Sequence, residues 1–176
     1  TGSDGRGGSS SGNFTVRAGD AATLTAFVDT TSVNSGNGGN VDVQGASVTL
    51  NNNVTIDPFT GSSGAKTGNT TLRATTGDVT LGSGTLFGDN YSSQPGAGGG
   101  DIQIISDQGS IVLQNRSIGS TNSGTGAGGS VLLSALQGIQ ATNSFINTTA
   151  TNNGAGGSVT VQGGDVTFTN TRLASN

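Results

Sequence analysis

Gly39-Asn40-Val41-Asp42-Val43 decides the fold, because the chain returns to it in varied form along its whole length. The other copies are Gly12-Asn13-Phe14-Thr15-Val16, Gly68-Asn69-Thr70-Thr71-Leu72, Gly100-Asp101-Ile102-Gln103-Ile104, Gly129-Ser130-Val131-Leu132-Leu133 and Gly157-Ser158-Val159-Thr160-Val161. Their glycines stand 27, 29, 32, 29 and 28 residues apart. A period in this range marks a solenoid, in which one repeat cannot bury its own apolar face and must stack on the next.

Strands alternate faces with period two, so each cassette defines an inward pair and an outward residue. The inward pairs are Phe14/Val16, Val41/Val43, Thr70/Leu72, Ile102/Ile104, Val131/Leu133 and Val159/Val161. A second run follows 9–13 residues after each glycine, with inward pairs Ala22/Leu24, Val48/Leu50, Val79/Leu81, Ile111/Leu113, Ile139/Ala141 and Val166/Phe168. A third, weaker run carries one apolar residue 16–18 positions after the glycine: Val28, Ile56, Leu86, Ile118, Ile146 and Leu173. Longer, variable turns follow it, as at Gly61–Gly64, Gly88–Gly99 and Ser120–Gly128.

Three short strands per repeat of about 29 residues describe an all-β parallel β-helix of about six coils. At the ordinary interstrand spacing of about 4.8 Å, six coils make a rod roughly 29 Å long. The glycines are expected because corners demand positive φ and leave no room for Cβ. The Asn-rich corners Asn51-Asn52-Asn53 and Asn152-Asn153 suit the left-handed region and can stack as amide ladders. A helical fold is excluded, since no apolar spacing of 3.6 residues persists and Gly, Thr, Asn and Val are poor helix formers.

Composition agrees with a narrow core in a polar wall: 30% of the chain is hydrophobic, 4% aromatic and 9% charged. Ten acidic residues, all Asp, face five Arg and Lys66, for a net charge of −4. With no basic patch, nucleic acid is not an expected partner. The six cations are expected to be solvated or stacked in ladders. Cys, Met and His are absent, which excludes disulfides, His/Cys metal sites and His-based catalysis. No 18-residue apolar run is present, so no membrane span is expected. Residues 1–11 read as a flexible Gly/Ser-rich segment or the tail of a preceding coil, and residues 12–176 as one solenoid domain. Neither end of the repeat array carries a cap, and open β edges invite further strands. A piece of a longer solenoid, or a unit that self-associates end to end or laterally, is therefore expected.

Gly38-Gly39-Asn40-Val41-Asp42-Val43 and Gly156-Gly157-Ser158-Val159-Thr160-Val161-Gln162 resemble coils of filamentous-haemagglutinin-type exoproteins, including the long cyanobacterial ones exported by two-partner secretion. The resemblance spans essentially residues 12–176. It implies a right-handed β-helix shaft, secreted or held at the cell surface, that serves adhesion, biofilm matrix or filaments. A cell-surface or matrix polysaccharide is the partner class it suggests.

Chemistry is sparse. Pectate-lyase-like β-helix enzymes cluster Asp residues, but Asp20, Asp78 and Asp165 belong to coils one, three and six, roughly 10–15 Å or more apart along the axis. They read as turn residues. Gly96–Asp101 lacks the tandem register of a calcium nonapeptide and the helix and Lys of a nucleotide loop. Thr23, Thr49 and Thr80 form one outward Thr column, but its partner column (Thr25, Asn51, Gly82) breaks at once, against an ice-binding face. No catalytic, cofactor or metal residue is expected. The outward apolar residues Ile105, Val112 and Leu132 in coils four and five are the candidate partner surface. A structural extracellular rod is the leading expectation, with a carbohydrate-binding or carbohydrate-cleaving β-helix as its alternative.

Overall fold

The computed structural model describes residues 10–32, 36–60, 65–91 and 97–176. Among them the chain is all-β, and every strand pairing is parallel. The first sheet is built from β1 (Phe14–Arg17), β4 (Val41–Gly45), β7 (Thr70–Ala74), β10 (Ile102–Ser106), β13 (Val131–Ala135) and β16 (Val159–Gln162). The second takes β2 (Ala22–Leu24), β5 (Val48–Leu50), β8 (Val79–Leu81), β11 (Ile111–Gln114), β14 (Gly138–Thr142) and β17 (Asp165–Thr169). The third takes β3 (Val28–Asp29), β6 (Val54–Asp57), β9 (Gly84–Phe87), β12 (Arg116–Gly119), β15 (Phe145–Asn147) and β18 (Arg172–Ala174). Within each sheet, strands follow in coil order. This is a three-sided β-solenoid, as the repeat predicts.

The register matches the cassette alignment. Phe14 pairs with Val41, Val41 with Thr70, Thr70 with Ile102, Ile102 with Val131 and Val131 with Val159. In coils two to five the inward pairs of the first two sheets are buried throughout, and Val28, Ile56, Leu86, Ile118 and Ile146 complete the channel on the third side. Each Leu, Ile or Val so buried contributes roughly 1.5–3 kcal/mol.

Of the two reasons expected for the glycines, close packing holds at the cassettes and positive φ does not. Among the described glycines only Gly84 has positive φ, at 133°. The cassette glycines are instead demanded by close stacking. A Cβ on Gly39, Gly68, Gly100, Gly129 or Gly157 would lie 2.0–2.2 Å from the carbonyl oxygen of the preceding cassette glycine. The next position forms a side-chain ladder. The N–H groups of Asn40, Asn69, Asp101 and Ser130 donate to the side-chain oxygens of Asn13, Asn40, Asn69 and Asp101, at 2.8, 2.8, 2.9 and 2.8 Å. Asn, Asp and Ser recur there because each offers an acceptor to the coil above.

The left-handed corners fall on asparagine, as expected: Asn53, Asn115, Asn143, Asn152, Asn153 and Asn170 all have positive φ. Asn143 Nδ2 donates to Asn115 Oδ1 (3.3 Å) and Asn170 Nδ2 to Asn143 Oδ1 (3.2 Å), a short amide ladder. Beyond the third sheet, single parallel bridges link Ser32, Thr60, Asn90, Asn122 and Ala150. The side chains of Ser32, Thr60, Asn90 and Asn122 are buried. Asn90 Nδ2 donates to Ala65 O and Asn122 Nδ2 to Ala97 O, tying the third side to the returning chain.

Residues 1–9 and the turn at 61–64 lie outside the described residues, as do residues 92–96 of the Gly88–Gly99 turn. Ser10 and Ser11 pack on coil two: Ser10 Oγ accepts from Asn37 N–H, and Ser11 N–H donates to Asn37 O.

Candidate functional site

The third sheet departs from its own repeat at two places, one inside and one outside. Inside, the column that opens the third-sheet strands runs Val54, Gly84, Arg116 and then Ser144. Arg116 is 1% exposed, against the expectation that the cations would be solvated or laddered. Its side chain crosses Gly84, where a Cβ would sit 2.4 Å from Nη1. Nη1 then donates to Val54 O (2.8 Å), Ser83 O (3.0 Å) and Gly82 O (3.2 Å), while Nε and Nη2 lack partners. Burial away from water pushes its pKa down to about 10. Of the other cations, Arg17 pairs with Asp42 and Arg73 with Asp107 on the surface, and Arg172 lies over the Phe145 ring.

Outside, the exits of β6 and β9 form a cleft of about 230 Å³ lined by Asp57, Phe59, Phe87, Asp89 and Tyr91. The pairs Ile56–Leu86 and Thr60–Asn90 share one register. That register sets Asp57 opposite Phe87 and Phe59 opposite Asp89, a checkerboard of carboxylates and rings on two adjacent coils. Alternation turns Ile56, Thr60, Leu86 and Asn90 inward and leaves the cleft residues on the outer face. The Phe59 and Tyr91 rings are 5.4 Å apart and tilted by 46°.

The cleft is electrostatically unbalanced. Asp89 is 6% exposed. Its Oδ1 accepts from Thr121 N–H (2.7 Å) and Thr121 Oγ1 (2.9 Å), and its Oδ2 from the Tyr91 hydroxyl (3.2 Å). Asp57 Oδ1 accepts from Phe59 N–H at 3.1 Å. Desolvation raises the Asp57 pKa; the Phe59 N–H offsets this in part, and the charges of Asp29 and Asp89 raise it further. Asp29 sits directly opposite Asp57 on the neighbouring coil. Desolvation likewise raises the Tyr91 pKa, helped by the charge and hydrogen bond of Asp89 and by the charge of Asp57. Among the described residues no Lys or Arg lines the cleft.

The three outward apolar residues singled out from sequence do not meet as one patch. Ile105 lies opposite Arg73 and Ser134, and Leu132 opposite Gln103 and Thr160, on adjacent strands of the first sheet. Val112 lies opposite Thr80 and Gln140 on the second sheet, around the corner. All three point outward and are half-buried. Ile105 borders an open groove of about 480 Å³ with Asp107 and the exposed Leu136, and no aromatic ring enters it. Asp78, read as a turn residue, accepts from Ser110 N–H in the next coil. Among the described residues no group of three metal-ligating side chains converges.

The sequence reading missed the cleft. Its signal was the alternation Asp57-Pro58-Phe59 and Phe87-Gly88-Asp89-Asn90-Tyr91, which gathers three of the chain's seven aromatic residues at one point of successive repeats. Comparison of the chain with protein-family models, curated proteins and solved structures finds no match.

Proposed function

We propose that this chain is a structural β-solenoid, the shaft of a bacterial surface adhesin or the body of an extracellular filament or matrix fibre, without catalysis. The observation that carries this reading is the open face of the sixth coil. There Val166, Phe168 and Leu173 are 44%, 36% and 39% exposed, whereas their counterparts Ile139, Ala141 and Ile146 in coil five are 0%, 1% and 0% exposed. These residues stand in the inward columns, and β16, β17 and β18 are hydrogen-bonded on one side only. An edge of this kind takes further parallel strands of the same coil geometry, from the same chain or another copy. At the opposite face Phe14, Val16 and Leu24 are half-buried, so both faces offer matching apolar columns.

The resemblance of the cassettes to filamentous-haemagglutinin-type coils supports the extracellular or cell-surface placement and the adhesin or matrix role. An ice-binding role is disfavoured, because the outward column Thr23, Thr49, Thr80 runs on into Val112 and Gln140. Electron microscopy with fibre diffraction of the native material tests the reading. Uniform fibres with an axial repeat of about 4.8 Å are the expected result. Rods that stay monomeric at all concentrations, from a source in which no longer solenoid contains them, would overturn it.

A further inference from the structure

We infer that the Asp57/Phe59/Phe87/Asp89/Tyr91 cleft is a binding site for an organic cation, a quaternary ammonium or protonated alkylamine group. The site goes beyond the shaft reading and stands whether or not the coil faces stack.

Three observations select this ligand chemistry. The first is charge. Asp57 and Asp89 line the cleft, Asp29 faces Asp57 from the next coil, and no cationic side chain answers them there. A cation removes that imbalance; a neutral ligand leaves it. The second is the walls. Phe59, Phe87 and Tyr91 present ring surfaces to the space, and a cation within about 6 Å of a ring centroid is attracted by the ring quadrupole. The third is the commitment of the polar atoms. Three of the four carboxylate oxygens of Asp57 and Asp89 already accept protein hydrogen bonds, and the Tyr91 hydroxyl donates to one of them. Few directional partners remain for the hydroxyls of a sugar. A diffuse cationic head needs none, because its attraction to carboxylate and ring is largely non-directional. A hard metal ion is disfavoured too: it wants six or more oxygen ligands, whereas here the rings fill the places between the carboxylates.

The chain supplies its own probe. Tyr91 is the one tyrosine and there is no Trp, so tyrosine emission reports on the cleft alone. The intact protein is titrated with choline chloride, and in parallel with sodium chloride, calcium chloride, 3,3-dimethyl-1-butanol and a maltooligosaccharide. A saturable change with choline, absent with sodium chloride and with the neutral isostere, is the expected result. Asp57→Asn should weaken choline binding at least about tenfold, because one close charge is lost. Phe59→Leu keeps apolar bulk but not the ring face and should weaken it roughly 3- to 30-fold. Both variants are checked for unchanged far-UV circular dichroism, and Asp89→Asn read by calorimetry serves as a second charge variant should Asp57→Asn fail to fold. An equal response to the isostere, a response to calcium or to the oligosaccharide in place of choline, or no response at all would each overturn the assignment.

Discussion

Replacing Arg116 by Met should leave the solenoid as stable as before or stabilise it, although Arg116 is the largest fully buried side chain. Burial lowers its pKa to about 10, and at about 1.36 kcal/mol per unit this penalises the folded cation by roughly 3 kcal/mol at neutral pH. Against this stand the bonds from Nη1 to Val54 O, Ser83 O and Gly82 O. Leaving such buried carbonyls unmet costs roughly 1–3 kcal/mol. No buried counter-charge is orphaned by the change, which is what usually makes breaking a buried ion pair so damaging. Met keeps an unbranched apolar stem in the space over Gly84. The expected balance lies between zero and about +2 kcal/mol, or a Tm rise of up to roughly 8 °C for a chain of this length. Arg116→Ala leaves the stem's volume empty and should fall about 2–5 kcal/mol below the Met variant. The assay is urea unfolding at pH 7 and again near pH 11. Between the folded and unfolded pKa values the unfolded chain binds the extra proton, so wild-type stability should rise with pH in that window relative to Arg116→Met. A Met variant that loses more than about 2 kcal/mol at pH 7 would refute the reasoning: the carbonyl bonds would then outweigh the desolvation, and Arg116 would be a staple.

Gly68→Ala should destabilise the stack by about 3 kcal/mol or more, because its Cβ would lie 2.1 Å from Gly39 O and two adjacent coils must separate. Gly19→Ala, with nothing within 4 Å, should change the urea midpoint little. Asp57→Asn keeps an oxygen to accept from Phe59 N–H and removes the desolvated charge facing Asp29 and Asp89. Because the folded pKa of Asp57 is raised, its ionisation costs stability only as pH rises through the unfolded value of about 3.9 and on to the folded one. The variant should therefore melt a few degrees higher at pH 7 and unchanged at pH 3; a gain confined to acid pH would contradict the assignment. Ile104→Asp puts a carboxylate at a fully buried position and should unfold the central coils, seen as loss of the far-UV β signal; wild-type melting would refute the inward register.

What could be read from sequence was whatever repeats. The inward columns were legible because pleat alternation ties each cassette glycine to a fixed pair of core positions, whatever the turn lengths between. Val166, Phe168 and Leu173 followed the pattern yet are exposed, because an inward position is buried only when a coil lies over it. The glycine column was legible, and so was the exclusion of Cβ, but the positive φ expected with it is absent at the cassettes: the pattern shows that Cβ is excluded, not that a neighbouring carbonyl does it. Arg116 was not legible. Asn115-Arg116-Ser117 reads as a polar turn, and only the register, with Gly84 one coil below, shows a guanidinium lying across a missing Cβ. The cleft escaped for a related reason. The alignment of Ile56 with Leu86 already sets Asp57 beside Phe87, but Asp57-Pro58-Phe59 and Gly88-Asp89-Asn90 read as turn residues, and only the continuing register through Thr60 and Asn90 shows them as one outward face.

The two departures from the repeat occupy the same strands, and the architecture permits this. Backbone ladders and inward columns hold each coil, so an outward residue can change without moving its neighbours. That freedom lets Asp57, Phe59, Phe87 and Asp89 form a cleft on a wall otherwise built from Thr, Ser, Asn and Gln. On the inner side of the same two strands the column loses its apolar packing at Gly84, and Arg116 spans the gap to the Val54 carbonyl at the start of β6. One cation thus ties its own coil to the two before it, at the strand starts, while the cleft lies at the strand exits. No side chain fits at position 84 itself, where φ is 133° and a Cβ would lie 2.3 Å from Val54 O, so the gap in the column is set by the backbone and Arg116 fills it from the next coil. The guanidinium contacts hold the start of β6 against the turn into β9, and the checkerboard follows at the other end of the same two strands. A two-residue slip between β6 and β9 would oppose Asp57 to Asp89 and Phe59 to Tyr91, and a one-residue slip would turn the whole outer face inward.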